Sequence, residues 1–169
     1  MPAMRPARRY SQRLTMIRII PYSDDHKQIF RQLNLEWLDK YHLTESHDLQ
    51  VLDDPTGTII NRGGVILLAE EAGEIVGSAA LMRGHDGVYE LAKMAVAPHM
   101  RGKGISKLLI SALLDIAKQK DAKKITLFSN HQLTTALALY KKFGFKDVEV
   151  KDSPFVTADV KMELELSNA

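Results

Sequence analysis

Apolar and polar residues along this chain of 169 residues follow two different periods. Short β-prone runs, either alternating or apolar throughout, are typical of strands. Turn residues such as Ala72-Gly73 and Ser153-Pro154 separate some of these runs. Seven strands are therefore predicted, at residues 16–22, 65–71, 74–82, 88–96, 124–129, 146–151 and 158–166.

Four other segments carry apolar residues at helical spacing. They predict helices at residues 24–42, 45–52, 105–118 and 133–143. The stripe of the first helix consists of Ile29, Leu33, Trp37 and Tyr41. The stripe of the third consists of Ile105, Leu108, Leu109, Ala112, Leu113, Ile116 and Ala117. The strand after this third helix should lie parallel to the strand before it, because a crossover helix joins them.

The order of these elements predicts an α+β fold: a mixed sheet of six to seven strands with about four helices on it. We expect one domain over residues 16–169. Residues 1–15 are basic and no apolar core follows them, so we expect a disordered arm there rather than a signal peptide.

Composition narrows the classes of function. A net charge of +2 is too small to make nucleic acid or an anionic membrane the main partner. The chain has no cysteine, which excludes disulfides and thiol nucleophiles and fits the cytoplasm. No apolar run approaches the roughly 18 residues of a membrane helix. The histidines and carboxylates do not cluster at metal-ligand spacing, so we expect no metal site.

A glycine turn between the fourth strand and the third helix is the clearest chemical signal. Gly102 and Gly104 precede a helix start, where free amides and about half a positive charge favour an anion such as phosphate. The turn lacks the Ser or Thr of a P-loop and the third glycine of a dinucleotide fingerprint. Taken alone, it also suits an ordinary helix start.

The surrounding residues resemble two motifs of the GCN5-related N-acetyltransferases, the GNAT family. The first is [QR]-x-x-G-x-[GA]; ending it at Gly104 places His99 first, and starting it at Arg101 places Ser106 last. The second comprises Asn130, Ala136, Leu139-Tyr140 and Gly144-Phe145. The two motifs occur in the family's order and at a similar separation.

The resemblance implies acetyl-coenzyme A as donor and a primary amine of a small molecule or peptide as acceptor. The main chain of Met94 and Val96 would pair with the pantetheine arm, because that family splays its sheet after the fourth strand. Asn130 would hydrogen-bond the same arm or, alternatively, cap the strand end. The amides expected to hold the pyrophosphate are those of Arg101, Gly102, Lys103, Gly104, Ile105 and Ser106.

Two residues are candidates for proton transfer. Tyr140 would act as general acid towards the departing thiolate; its helical position equally suits a core aromatic. The resemblance implies Glu90 as general base, because it lies six residues before Val96, where the histone-acetylating members place their catalytic glutamate. Strand alternation also puts it on one face with Ala92, Met94 and Val96. A salt bridge to Lys93 or Arg83 is the alternative for Glu90, and a chain of water molecules is the alternative base.

We therefore expect an acetyl-coenzyme A-dependent N-acetyltransferase working by direct transfer in a ternary complex. Dimerisation is common in that family, so the resemblance also implies a homodimer as a candidate assembly. The acceptor pocket would include Trp37, Tyr41 and Phe155, with Glu36, Glu45 and Asp48 favouring a cationic acceptor. The alternatives are a non-catalytic coenzyme A sensor of the same fold and a nucleic-acid binder that uses the basic arm.

Overall fold

Seven strands and five helices make up residues 16–166, the part of the chain that the computed structural model describes. The strands are β1 (Ile17–Pro21), β2 (Val65–Glu71), β3 (Glu74–Arg83), β4 (Val88–Val96), β5 (Lys124–Ser129), β6 (Lys146–Val148) and β7 (Val160–Glu165). The helices are α1 (Lys27–Lys40), α2 (Ser46–Asp53), α3 (Pro55–Thr58), α4 (Ile105–Gln119) and α5 (Thr134–Lys142). The expected arm at residues 1–15 lies outside the described residues.

One mixed sheet joins all seven strands in the order β1-β2-β3-β4-β5-β7-β6. Every neighbouring pair is antiparallel except β4 and β5, which are parallel and joined through α4. This confirms the predicted mixed α+β fold and its parallel crossover. Helix α4 begins directly after the glycine turn, next to the β4–β5 pair.

Two hydrophobic cores cover the two faces of the sheet. Alternate residues of β2 divide between them: Leu67 and Ala69 belong to one core, Ile66 and Leu68 to the other. The first core contains the apolar face of α4, and the second contains Phe30 and Leu38 of α1. Because both faces carry helices, polar groups that reach the sheet centre must find partners there.

Two local predictions were wrong. The buried side of α1 is formed by Phe30, Leu33, Asn34 and Leu38, so the stripe predicted through Trp37 and Tyr41 is rotated. The second is the absence of any predicted element between residues 53 and 64, where the structure has a short helix, α3. Asp54 caps it by accepting a hydrogen bond from the Gly57 amide, and proline at the first position suits a helix start.

A β-bulge interrupts β4. Between Ala92 and Ala95, the two residues Lys93 and Met94 lie opposite the single residue Ala79 of β3. Lys93 has φ of +52°, in the left-handed region that non-glycine residues seldom adopt. A bulge of this kind bends its strand and redirects its side chains.

The bulge also corrects the predicted alternation. Glu90 and Ala92 lie on one face, since their partners Met82 and Ala80 are alternate residues of β3. Val96 pairs with Gly77 and lies on the other face. The prediction that one face carries Glu90, Ala92, Met94 and Val96 was therefore wrong beyond the bulge.

Candidate active site

The cleft opens where β4 and β5 separate. The two strands pair only over Val88–Glu90 and Lys124–Thr126, although β4 continues to Val96 and β5 to Ser129. The wedge between them, with the start of α4 and one side of α5, encloses roughly 900 Å³. The predicted catalytic and cofactor-binding residues all line this cleft except Lys103, whose Nζ lies 3.8 Å from Met100 Sδ. Of the acidic residues predicted for the acceptor, Asp48 lines the cleft and Glu36 and Glu45 do not.

The α4 end of the cleft is built from main-chain amides. Gly102 and Gly104 have φ of +78° and +79°, which glycine adopts without strain. Within residues 16–166, none of the six amides from Gly102 to Lys107 donates a backbone hydrogen bond, and no side chain caps α4. A Cβ built on either glycine would meet nothing within 4 Å. The geometry provides free donors at a helix start facing open space, which suits an anion.

Basic side chains surround this end. The Arg101 guanidinium is bound to the Glu36 carboxylate at 2.9 Å, joining the turn to α1. Lys107 of α4 and Lys142 of α5 also line the cleft. Sequence reasoning named neither lysine, since no motif marks them; the meeting of α4 and α5 at the cleft brings them to one site.

Asn130, at the end of β5, is buried and its side chain is already engaged. Its Nδ2 donates to the Thr157 carbonyl at 2.9 Å, and its Oδ1 accepts from the Gln132 amide at 3.1 Å. The side chain thereby fixes the chain between β5 and α5. This matches the capping alternative and leaves the second Nδ2 hydrogen without a protein acceptor among the described residues.

Tyr140 packs in the core with one side open to the cleft. Its ring meets Phe145 edge-on at 6.0 Å, and the residue is 8% exposed. Burial raises the pKa of Tyr140 to about 12. The phenol therefore stays protonated at working pH and acts as a hydrogen-bond donor more readily than as a full acid.

Glu90 lies on the same cleft, next to the point where β4 and β5 part. Burial raises the pKa of Glu90 to about 7, with Lys93 opposing the shift and Asp48 adding to it. Neither alternative salt bridge forms, because Lys93 is bound to Asp48 and, in the described chain, no ion pair reaches Glu90 from Arg83. A carboxylate that takes up a proton near neutral pH suits a general base.

A buried ion pair lies beside Glu90. Lys93 Nζ is 2.5 Å from Asp48 Oδ1, and the two side chains are 5% and 3% exposed. The Lys93 ammonium also sits 5.4 Å from the centre of the Phe155 ring. Sequence reasoning treated Asp48 as a free acidic group and Lys93 as a partner for Glu90. It missed the pair because 45 residues separate the partners.

Aromatic side chains line the far end of the cleft. Trp37, Tyr41 and Phe155 all contribute, as expected from sequence, and Phe128 of β5 lies 6.4 Å from Phe155. The loop carrying Phe155 is held by the Glu45 carboxylate, which accepts hydrogen bonds from the amides of Val156 and Thr157. Glu36, Glu45 and Asp48 therefore all serve internal contacts rather than standing free for a cationic acceptor.

Residues 16–166 contain no group of three His, Asp or Glu side chains arranged to hold a metal ion. The same residues include no helix that combines the length and apolar character of a membrane span.

Comparison with known proteins decides the family. Residues 27–145 match the model of the acetyltransferase (GNAT) family. The chain belongs to the GNAT family of acetyltransferases. The uncharacterized N-acetyltransferase YhfO of Bacillus subtilis strain 168 is 38% identical over 92 residues, which cover 52% of this chain and 62% of that relative.

Solved GNAT structures share the fold. An acetyltransferase of the GNAT family from Staphylococcus aureus Mu50 superposes with a TM-score of 0.84 at 22% identity, covering 90% of this chain and all of that one. The PaiA N-acetyltransferase of Thermoplasma acidophilum, solved in complex with coenzyme A, gives a TM-score of 0.73 at 18% identity over 89% and 99% of the two chains. At these identities the likeness concerns the fold.

Proposed function

We propose that this GNAT protein transfers an acetyl group from acetyl-coenzyme A to a primary amine, with both substrates bound at once. The observation that carries the proposal is the row of free amides from Gly102 to Lys107, which opens into the same cleft as Glu90 and Tyr140. An anion site, a proton acceptor and a phenol donor in one cleft are the groups that amide formation from a thioester requires.

The α4 end fits the pyrophosphate of coenzyme A. Two glycines at positive φ leave space above the main chain, and six amides there lack acceptors within the described residues. From that end, the unpaired edge of β4 at Met94 and Val96 runs towards Glu90. These main-chain groups would hold the pantetheine arm as a neighbouring strand would, helped by Asn130.

When bound, acetyl-coenzyme A supplies the acetyl group as an activated thioester. Glu90 removes a proton from the acceptor ammonium, which frees the nitrogen lone pair to form the new C–N bond. The second proton on this nitrogen is lost to solvent as the thiolate departs and the amide forms. An alkylammonium with a pKa of about 10.4 is neutral in only a few parts in ten thousand at pH 7. A catalytic base with a pKa near 7 therefore helps to produce the reactive neutral amine. Glu90 reaches that range because burial raises its pKa to about 7.

Tyr140 serves the other product. As the C–S bond breaks, its hydroxyl donates a hydrogen bond to the departing sulfur. With a pKa of about 12, Tyr140 is a much weaker acid than a thiol near 8.5. Stabilising the thiolate is therefore its larger contribution, and proton transfer is completed by solvent.

The nucleophiles present in the cleft favour direct transfer. The chain has no cysteine, and the cleft serines Ser106 and Ser129 have no histidine partner within residues 16–166. A covalent acetyl-enzyme therefore lacks an activated nucleophile. Intersecting initial-velocity lines in a two-substrate experiment are expected, and parallel lines would contradict direct transfer.

The acceptor end favours an amine whose body carries no phosphate. Lys93 is the basic side chain beside Glu90, and Asp48 already neutralises it. The aromatic side chains Trp37, Tyr41 and Phe155 line the same end, so a bound phosphate would lose its hydration without gaining a cationic partner. We propose an uncharged, preferably aromatic body attached to the reacting amine.

The test is a thiol-release assay with acetyl-coenzyme A and matched amines: phenethylamine, glucosamine, glucosamine 6-phosphate and a short peptide with a free N-terminus. Activity is expected to be highest with phenethylamine and lowest with the phosphate ester. Calorimetry with coenzyme A provides the independent check on the cofactor site. Binding without turnover of any amine would favour the sensor, and no binding would refute the function.

A further inference from the structure

The buried Lys93–Asp48 pair has no part in the chemistry proposed above, yet it lines the cleft beside Glu90. An isolated ion pair this deep in a protein is costly to desolvate and often contributes little net stability. Its position next to a candidate base therefore calls for a functional explanation.

The main chain at Lys93 is fixed by neighbours on two elements. Ser78 Oγ of β3 donates to the Lys93 carbonyl at 2.8 Å. Asn34 Nδ2 of α1 donates to Ser78 Oγ at 3.2 Å, and both residues are fully buried. These bonds hold the bulge and the left-handed conformation of Lys93, and so direct its ammonium towards α2.

The partner carboxylate is fixed as well. Asp48 uses Oδ1 for Lys93 and accepts the Glu45 amide through Oδ2 at 2.9 Å, in the first turn of α2. Phe155 packs against the Lys93 ammonium. Neither charge can turn away without breaking these contacts, so both act on Glu90 from defined places.

We propose that the Lys93–Asp48 pair is a positioning pair that sets the pH at which Glu90 accepts a proton. Lys93 favours the ionised carboxylate and Asp48 opposes it. While the pair is intact, Asp48 offsets part of the effect of Lys93, and burial dominates. The proposal rests on the proposed role of Glu90 only for its effect on turnover; the electrostatic effect itself needs no substrate.

On the same face of the sheet as Glu90, Lys124 of β5 and Glu163 of β7 carry charges that neutralise each other at 3.4 Å. His47 of α2 is titratable but packs edge-on against Phe155 at 5.1 Å. Uncharged side chains take the remaining places across the sheet and along the cleft: Met82, Thr126, Tyr41, Tyr140 and Phe155. Lys93 and Asp48 are therefore the charges whose removal should be felt at Glu90.

The test is a carboxyl ¹³C NMR titration of Glu90 in the free protein, with its resonance identified by loss in Glu90→Gln. Lys93→Met should raise the titration midpoint by about one pH unit, since it removes the cation and leaves Asp48 unpaired. Asp48→Asn should lower the midpoint by a similar amount. A merely structural role predicts no such opposition of sign.

Lys161→Met is the matched control. Lys161 also lies over a phenylalanine ring, Phe128, at 5.5 Å, but it pairs with Glu163 on β7. Its removal should leave the Glu90 midpoint in place. Midpoints that move in the same direction in both test variants, or stay at the wild-type value, would overturn the proposal.

Removing one partner of a buried pair is destabilising, so the double variant Lys93→Met/Asp48→Asn provides a second measurement. It leaves no uncompensated charge. Lys93 acts more strongly on Glu90 than Asp48 does, so the double variant should titrate above wild type. A midpoint at or below wild type would refute the proposal even if neither single variant folds.

Turnover provides a separate arm. The acid limb of kcat/KM against pH should follow the NMR midpoint in each variant. NMR midpoints that shift while the acid limb stays fixed would show that Glu90 is not the base. The effect of the pair on the Glu90 midpoint would still be established. Absence of turnover in every variant would refute the proposed function. The NMR titration would still decide whether the Lys93–Asp48 pair shifts the titration midpoint of Glu90.

Discussion

The two ends of the cleft are built by different means. The α4 end consists of consecutive main-chain amides from one short stretch, Gly102–Lys107, and needs glycine at two left-handed positions. The far end consists of side chains from separate elements: Glu90 and Lys93 on β4, Asp48 on α2, and Phe155 from the loop after β6.

This difference determines which amino-acid substitutions each end of the cleft tolerates. Main-chain donors survive most side-chain substitutions, provided that φ is kept. A charge cluster of long-range partners fails when any one member is removed, because a buried partner is then left uncompensated. We therefore expect the donor-binding end to be sensitive to backbone conformation and the acceptor end to be sensitive to charge.

The largest effect is expected at the charged end. Glu90→Gln removes the proton acceptor with little change of shape, and kcat should fall about 10²- to 10⁴-fold at pH 7. Steady-state thiol release measures this. Glu149→Gln, an exposed carboxylate paired with Lys151, is the control and should retain full activity. Equal activity of both variants would show that Glu90 is not the base.

The same substitution should stabilise the protein above pH 7. The pKa of Glu90 is about 7 in the folded protein against an ordinary value of 4.5, so the protonated carboxyl stabilises the folded state relative to the ionised one. Its contribution is fully present below pH 4.5 and is lost as pH rises through 7, a loss of roughly 3 kcal/mol.

Urea unfolding at pH 4 and pH 8 tests this sign. The stability of Glu90→Gln relative to wild type should increase between the two pH values by that amount, while Glu149→Gln should show no such increase. A wild type that gains stability relative to Glu90→Gln over this range would contradict the raised pKa.

At the other end, Gly102→Ala should weaken coenzyme A binding about 10- to 100-fold. The methyl group occupies the open space above the amides and the left-handed φ is strained, so hydrogen bonds to phosphate are lost. Calorimetry measures the affinity.

Gly73→Ala is a close control for that variant. Gly73 has φ of +81° and likewise nothing within 4 Å of a built Cβ, but it lies in the β2–β3 turn, away from the cleft. Both variants should lose similar thermal stability, and only Gly102→Ala should lose affinity. Equal affinities would place the phosphate elsewhere.

The smallest effect is expected at Tyr140. Tyr140→Phe removes one hydrogen bond to the departing sulfur, so kcat should fall about tenfold. Calorimetry should show unchanged affinity for coenzyme A. Tyr89→Phe, another buried tyrosine of the same core that does not line the cleft, is the control. Equal kcat values for the two variants would show that Tyr140 is a core aromatic without a role in turnover.

Sequence reasoning reached the α4 end because that end is local. Gly102, Gly104 and the stripe of α4 lie within one short stretch, and the resemblance added Asn130 and Tyr140. In that stripe only Leu108 is notably exposed, at 45%, while the buried Ile110 was missed. Most of the elements and the parallel pairing of β4 with β5 followed from periodicity and the crossover rule.

The charged end could not be predicted in the same way. No residue type in β4 signals the bulge, since a left-handed lysine is unusual and the run alternates smoothly through Lys93. Asp48 and Phe155 reach the site only through the packing of α2 and of the loop before β7. The stripe of α1 was misplaced because Asn34, a polar residue, is buried to hold Ser78.

The loop that carries Phe155 is fastened at its middle as well as its ends. The Glu45 carboxylate accepts hydrogen bonds from the amides of Val156 at 2.8 Å and Thr157 at 2.9 Å, and from the Thr157 hydroxyl. Burial opposes ionisation, but these bonds from Thr157 and Val156 hold the pKa of Glu45 below its ordinary value. The clamp is thus retained well into mildly acidic conditions.

For protein engineering, this clamp makes α2 and the residue 149–159 loop a single exchangeable cassette. A chimera that imports a relative's loop without the matching helix start would leave the aromatic wall unanchored. Transplanting both segments together, with Glu45 and Asp48 included, is the way to move acceptor preference between members of the family while keeping the donor half of the cleft untouched.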